Sequence, residues 1–229
     1  MTICKTRMLD FAGQSFVLHP DRALVWPAQR TLIVADLHFG KSALFRERGL
    51  PVPAGTTAGD LARLEQLVEQ TNPRRLLILG DCFHGKMNDP AGMFEPFMAW
   101  RQTRSELAIE LVRGNHDRHA GHAPVDLGMT VHPRPLCEAG LTFAHEPFDD
   151  GESRVLAGHI HPAASLRDFD GGAVRVPCFV VEPRLLILPA FGAFTGTCTI
   201  AAAEKRRLFI AANGRVLQSD PLLLTAGRR

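Results

Sequence analysis

Five short apolar runs, each leading into side chains that can bind a metal ion, constrain this chain more than any other feature. Leu32-Ile33-Val34 leads into Asp36-Leu37-His38, Leu76-Leu77-Ile78-Leu79 into Gly80-Asp81, and Leu111-Val112 into Gly114-Asn115-His116-Asp117. Leu141-Thr142-Phe143 leads to His145, and Val155-Leu156 to Gly158-His159-Ile160-His161. Runs of this length read as buried strands, and α/β sheets form their sites just outside the carboxyl ends of their strands. Such a chain is expected to gather Asp, Asn and His at one sheet edge.

Between these strands the helical period returns. Leu61, Leu64, Leu67 and Val68 fall on one face of a helix expected from about Thr57 to Gln70, and Asn72-Pro73 stops it. A second helix is expected around Met93 to Arg104. Ahead of the first motif, Ser15 to Leu18 and Ala23 to Trp26, split by Pro20-Asp21, read as a hairpin at a sheet edge. Beyond His161 only strands are expected: Val174 to Val181, Leu185 to Leu188, Thr197 to Ala201, Leu208 to Ala212 and Val216 to Gln218. Turns fall at Glu182-Pro183 and at Asn213-Gly214, a pair that tolerates the positive φ of a tight hairpin. An α/β first half and a β-rich second half predict two sheets packed face to face with helices outside. No repeat, low-complexity tract or linker divides the chain, so one domain over 1–229 is expected.

Composition bounds the function classes. With 229 residues and 45% hydrophobic content, the chain can build a sizeable core. A formal charge of +2 permits nucleic acid as a partner without requiring it. No stretch reaches the roughly 18 apolar residues of a membrane span, and Met1 to Arg7 contain no apolar signal core. A cytoplasmic protein with no membrane partner is expected. Cys4, Cys82, Cys137, Cys178 and Cys198 are odd in number and scattered, which fits reduced thiols with structural roles.

Each motif alone has a plainer reading. Asp36-Leu37-His38 taken alone reads more readily as a surface turn than as a ligand pair; in an extended strand both side chains would point to one side and could share a cation. Ala35 to Ser42 nearly spell a phosphate-binding loop, but Asp36 would lie against the phosphates and repel them. Gly80-Asp81 is a common turn. Asn115 beside His116 at a strand end is harder to explain without a polar ligand, and His159 and His161, one residue apart, can face one cavity. The five in this order make coincidence a poor account. Mixed carboxylate, amide and imidazole donors suit manganese, iron or zinc, and they are too many for one ion. Two cations about 3.5–4 Å apart would form a clamp for in-line attack on phosphorus.

The series Asp-x-His, Gly-Asp, Gly-Asn-His-Asp, His, Gly-His-x-His, from Asp36 to His161, resembles the calcineurin-like metallophosphoesterase superfamily. That resemblance implies a four-layer α/β/β/α sandwich of two mixed sheets flanked by helices. By motif position it puts Asp36, His38 and His161 on a first metal and Asn115, His145 and His159 on a second, with Asp81 bridging. It gives His116 the task of stabilising the transition state or protonating the leaving oxygen. The tautomers of the ligand imidazoles would need acceptors behind them, a role open to Asp117 or Glu146.

Gly80-Asp81-Cys82-Phe83-His84 departs from the protein-phosphatase pattern, which continues Gly-Asp-x-x-Asp-Arg-Gly. It is similar to the Gly-Asp-x-Phe-His of the SbcD-type nuclease branch, which implies that His84 assists His116; a solvent-exposed turn histidine is the other reading. A narrower resemblance, through Ala35 to Lys41, Gly80 to His84 and Leu188-Pro189-Ala190-Phe191-Gly192, is to the ligase-associated DNA damage response endonucleases. It implies two Mn2+ ions, with Fe2+ or Zn2+ as alternatives, and endonuclease action on DNA, favouring single strands. It also implies repair partners: a ligase, an exonuclease and a helicase.

Lys41, Arg46, Arg48, Arg113 and Arg118 flank the ligand segments and could contact phosphates, while Phe39, Phe83 and Phe148 could stack unpaired bases or fill the core. His19, His119, His122 and His132 read as surface or loop residues. The same metals could instead serve a phosphodiesterase or pyrophosphatase for a small nucleotide. A third reading is an inactive scaffold that binds proteins, against which every expected ligand is present.

Overall fold

In the computed structural model, residues 5–52, 55–85, 94–120, 127–167 and 172–219 are described. The first sheet has seven strands in sequence order: β1 (Arg7–Phe11), β2 (Gln14–His19), β3 (Ala23–Trp26), β4 (Thr31–Val34), β5 (Arg75–Leu79), β6 (Ala108–Val112) and β7 (Met129–His132). The first four strands pair antiparallel and β4 to β7 pair parallel. Parallel neighbours need crossovers, and all four α-helices of the described residues lie in them: α1 (Lys41–Glu47) and α2 (Thr56–Thr71) between β4 and β5, and α3 (Glu95–Thr103) between β5 and β6. The fourth, α4 (Asn115–Ala120), lies between β6 and β7.

The second sheet has nine strands. Along one path they run β14 (Cys198–Thr199), β11 (Pro162–Arg167), β12 (Ala173–Val181), β13 (Leu185–Ile187), β10 (Val155–Ala157), β9 (Leu141–Phe143) and β8 (Leu136–Glu138). Off this path, β15 (Arg207–Ala212) pairs with β12 and with β16 (Arg215–Gln218). Parallel and antiparallel pairs mix here too, since β9 and β13 flank β10 in parallel while β12 and β13 run antiparallel.

Side-chain alternation explains why the motif strands read as continuous apolar runs. Leu32 and Val34, Leu76 and Ile78, and Ile109 and Leu111 point to a cluster with Leu61, Leu64 and Leu67 of α2 and Phe97 and Trp100 of α3. Their neighbours Ile33, Leu77, Leu79 and Val112 point the other way, against Phe143, Leu156, Phe179, Leu186 and Phe209 of the second sheet. With both faces covered there is no polar face to show. Each fully buried Leu or Phe in these layers contributes about 1.5–3 kcal/mol. Glu65 ties α2 to α3 by accepting from Trp100 Nε1 at 2.8 Å and from Arg104.

The two mixed sheets with flanking helices agree with the sequence-based expectation. Among the described residues, the helices that enter a hydrophobic cluster all enter the one on the outer face of the first sheet. The expected helix from Thr57 runs Thr56–Thr71, and the next begins at Glu95, with Met93 outside the described residues. The opening hairpin is present as β2 and β3 but is not the edge: β1 pairs with β2 beyond it. In β1 only Leu9 and Phe11 turn inward, and that two-residue signal is too weak to mark a strand. The expected strand over Thr197 to Ala201 shrinks to Cys198–Thr199. Asn213 (φ 50°) and Gly214 (φ 70°) make the β15–β16 turn.

Cys82 and Cys178 are buried, and burial raises both thiols, Cys178 to about 12. Cys137 and Cys198 are exposed, so neither fills the core as expected; Cys4 lies outside the described residues. Nor is His19 a surface residue: it is 3% exposed and accepts from Asp21 N at 3.2 Å. His119 is exposed on α4, and His132 of β7 meets Glu110 Oε2 at 2.7 Å. His122 lies outside the described residues.

Candidate metal centre

The carboxyl ends of β4, β5 and β6 in one sheet and β9 and β10 in the other open onto the same edge of the sandwich. The chain does not continue there as extended strand. Asp36 (φ 55°), His38 (φ 50°), Asp81 (φ 49°), His159 (φ 71°) and His161 (φ 49°) all take the left-handed conformation. The expectation that Asp36 and His38 share a side through strand alternation is therefore overturned. They sit in a coiled loop held by Asp36 N to Gly80 O (3.1 Å) and His38 N to Asp81 O (2.9 Å). Asp and His tolerate this region better than most residues, but five together mark a backbone held by its surroundings.

Two glycines make room for that packing. Gly80 has φ +77°, and a Cβ there would stand 2.2 Å from His145 Nδ1. A Cβ on Gly158 would stand 2.6 Å from Asp36 Oδ2, the oxygen that accepts from His159 N at 2.8 Å.

Seven side chains read from the sequence converge here as two groups. Asp36, His38 and His161 form one: His38 Nε2 and His161 Nε2 are 3.3 Å apart, and His161 Nε2 is 3.6 Å from Asp36 Oδ1. Asp81, His145 and His159 form the other, with His145 Nε2 3.0 Å from His159 Nδ1, 2.9 Å from Asn115 Oδ1 and 3.4 Å from Asp81 Oδ1. Donor atoms bound about 2.0–2.2 Å from one ion stand about 3–3.5 Å from one another, which is the spacing seen. Asp81 reaches both groups, since its Oδ2 is 3.7 Å from His38 Nε2 while its Oδ1 faces His145.

Electrostatics favour a cation at this point. Asp36 is fully buried and its Oδ1 has no hydrogen-bond partner, an arrangement that is costly unless something positive is bound. Burial, then Lys41 and the neighbouring His161, His84 and His116, lower His38 to about 2, so its ring stays neutral with a lone pair free for a metal. The residues therefore fit a divalent ion in each group.

The acceptors behind the imidazoles are backbone carbonyls. His145 Nδ1 meets Leu79 O at 3.1 Å and His161 Nδ1 meets Gly196 O at 3.1 Å, leaving each Nε2 to the site. Asp117, offered for this role by the sequence, instead accepts from Phe83 N (3.0 Å) and Gly114 N (2.8 Å), and Glu146 is exposed. Main-chain acceptors carry no sequence signal, which is why they were missed.

His84 and His116 lie beside the first group. Their rings are 4.3 Å apart and tilted by 32°, and His84 Nδ1 is 3.2 Å from His38 Nδ1. His84 is thus no free turn histidine; burial, then His116, lower it to about 4. His116 is partly exposed, its Nε2 4.0 Å from Asp81 Oδ2.

Outside the site proper, Leu188-Pro189-Ala190-Phe191-Gly192 braces the first loop. Phe191 N donates to Ala35 O (2.8 Å) and Gly192 N to Asp36 O (3.1 Å), and Asp60 accepts from Ala193 N. Lys41 is lowered by burial at the start of α1. Phe39 and Phe83 are core residues, 1% and 2% exposed, whereas Phe148 is exposed. Of the basic run 205–207, Arg206 pairs with Glu182 and Arg207 lies over the Phe209 ring.

Residues 29–177 match the family model for calcineurin-like phosphoesterases. Among solved structures, the nuclease MPE of Pseudomonas putida is similar over 94% of this chain and 100% of its own, at 38% identity and a TM-score of 0.82. A protein of unknown function from Aquifex aeolicus aligns over 57% of this chain and 78% of its own, at 16% identity and a TM-score of 0.39. The phosphoesterase Yfce of E. coli aligns over 80% and 88%, at 15% identity and a TM-score of 0.37. No curated protein matches the chain.

Proposed function

The chain belongs to the calcineurin-like phosphoesterase family, and from that premise we propose that it is a manganese-dependent endonuclease that cuts single-stranded DNA in repair. At the coarser level it is a metal-dependent phosphodiesterase of a family that works with a binuclear metal centre. The observation that carries the two-ion reading is Asp81, whose two oxygens face the two ligand groups separately. A nucleic-acid substrate is supported by the similarity to a solved nuclease over nearly the whole chain, and the choice of DNA rests on the narrower sequence resemblance.

In this reading Asp36, His38 and His161 hold one ion, Asn115, His145 and His159 the other, and Asp81 spans both. Bound there, the ions supply Lewis acidity toward the phosphoryl oxygens and a water acidified to near neutral pH. The protein supplies orientation and proton transfer. Leu79 O and Gly196 O fix the rings of His145 and His161, and His159 N and His116 N hold Asp36 and Asp81 in place by donating to Oδ2 and Oδ1. His116, the more open of the stacked pair, protonates the leaving oxygen; neutral His84 packs against it and against His38.

Cytoplasmic work beside a ligase, an exonuclease and a helicase follows from the narrower resemblance. It is compatible with the free thiols and with the finding that no helix among the described residues is long and apolar enough to cross a membrane. The test is to incubate the manganese-loaded protein with circular single-stranded DNA, cyclic nucleotides and phosphomonoesters. Nicked circles are expected. Intact circles with rapid turnover of a small nucleotide would replace this reading by the small-nucleotide one.

A further inference from the structure

A cleft of about 380 Å³ opens directly from the ligand edge, with His145 in its wall. Three arginines from three parts of the chain line it: Arg113 just after β6, Arg118 on α4, and Arg134 in the crossing from β7 to β8. Phe148, five residues before the β10 lead-in at Ser153, lines it as well.

Among the described residues, the arginines of this cleft have no close carboxylate partner. Arg63, Arg75, Arg104, Arg184 and Arg206 each pair with a carboxylate within 4.0 Å. Among the described residues no carboxylate lies that close to Arg113, Arg118 or Arg134. Glu146 is the one acidic residue that lines the cleft, beside the three arginines. Like charges kept together and unpaired repel one another, an arrangement that an anionic ligand would relieve. Guanidinium groups in turn suit phosphate, which they meet with two parallel hydrogen bonds.

The aromatic residue adds a second signal. Phe148 is 37% exposed, and among the described residues it is the only exposed Phe or Trp. Part of that ring stays in water, whereas most of the other described phenylalanines are buried. A planar apolar face beside a row of phosphate-binding cations is how proteins hold unpaired bases, whereas a duplex keeps its base faces stacked internally. Pro133 and Pro135 bracket Arg134 and fix φ on either side of it, so this arginine is carried on a stiff segment.

Resting on the DNA-cutting reading above, we propose that this cleft is the bed of a single DNA strand leaving the His145 side of the metal centre. Arg113, Arg118 and Arg134 hold successive phosphates beside the scissile one, and Phe148 stacks an unpaired base. The cleft thereby sets the preference for a strand over a small phosphodiester, which fills the metal site but does not extend along it.

The manganese-loaded protein and its Arg134→Ala, Arg134→Lys and Phe148→Ala variants test this, each assayed on a single-stranded oligonucleotide and on bis(4-nitrophenyl) phosphate. The readouts are the ratio of kcat/KM between the two substrates and the slope of log kcat/KM for DNA against log salt concentration. Phe148→Ala is expected to lower the ratio about tenfold, within the range for loss of one stacked base. Arg134→Ala is expected to lower the ratio and to reduce the salt slope by about 0.7, the value for one phosphate contact on a single strand. Arg134→Lys, which keeps the charge, should retain the slope. Unchanged ratios and slopes in variants that still cut DNA would place the strand elsewhere and overturn the proposal. A parent protein that hydrolyses the small ester but cuts no DNA would remove the DNA-cutting reading, and this cleft with it.

Discussion

Replacing Asp117 by Ala separates a residue that shapes the metal centre from those that bind metal. Asp117 is 4% exposed, and its oxygens accept from Phe83 N at 3.0 Å and Gly114 N at 2.8 Å. It therefore staples the segment after β5, which carries Asp81 and His84, to the turn that presents Asn115 and His116. Removing the carboxylate leaves two buried N–H donors without a partner, at about 1–3 kcal/mol each, or about 2–6 kcal/mol together. Burial already pushes the Asp117 carboxyl above its ordinary range, outweighing the two hydrogen bonds. Losing a destabilised charge returns part of that cost, so a net loss of about 2–4 kcal/mol is expected. Urea unfolding of the metal-free parent and variant measures it, and manganese titration of both should show weaker binding in the variant. A loss below about 1 kcal/mol, with unchanged metal affinity, would refute the claim that Asp117 organises these two segments.

Three further outcomes follow from the same geometry. His116→Ala should keep two metal ions per chain by elemental analysis and lower turnover by about 10²–10⁴-fold, the usual loss of an acid-base group; full activity would end its assignment. Asp81→Asn, with one amide oxygen in place of two carboxylate oxygens, should retain fewer than two ions after desalting, and two tightly held ions would count against the bridge. Burial holds His38 and His84 below their ordinary 6.5, at about 2 and about 4, so between pH 6.5 and 4 the unfolded chain binds protons that the folded chain refuses. Metal-free protein should therefore lose stability as pH falls through that window, by at most about 1.4 kcal/mol per pH unit for His38 and less for the partly open His84. Thermal melts of parent and His84→Asn protein check it; the variant should show the shallower fall, and equal slopes would contradict the assigned burial cost.

The strand core and the order of the polar residues beyond it could be read from the chain because both are local. Leu76 to Leu79 is apolar throughout since both faces are buried, and the helix over Thr56–Thr71 repeats Leu61, Leu64 and Leu67 at helical spacing. What lies between strands was less legible. Strand β1 depends on two inward residues, and the exposure of Cys137 and the burial of His19 depend on neighbours distant in sequence.

By itself the sequence determined which side chains of the candidate site stand at strand ends and in what order, because strand length and residue type are written in consecutive positions. Only the tertiary structure decided how they meet. The left-handed backbone at Asp36, His38, Asp81, His159 and His161, the carbonyls of Leu79 and Gly196 behind the imidazoles, and the arginines around Phe148 that lack a close carboxylate among the described residues all arise where separate segments pack together. Main-chain acceptors and the absence of a counter-charge leave no trace in residue identity, so packing alone sets them.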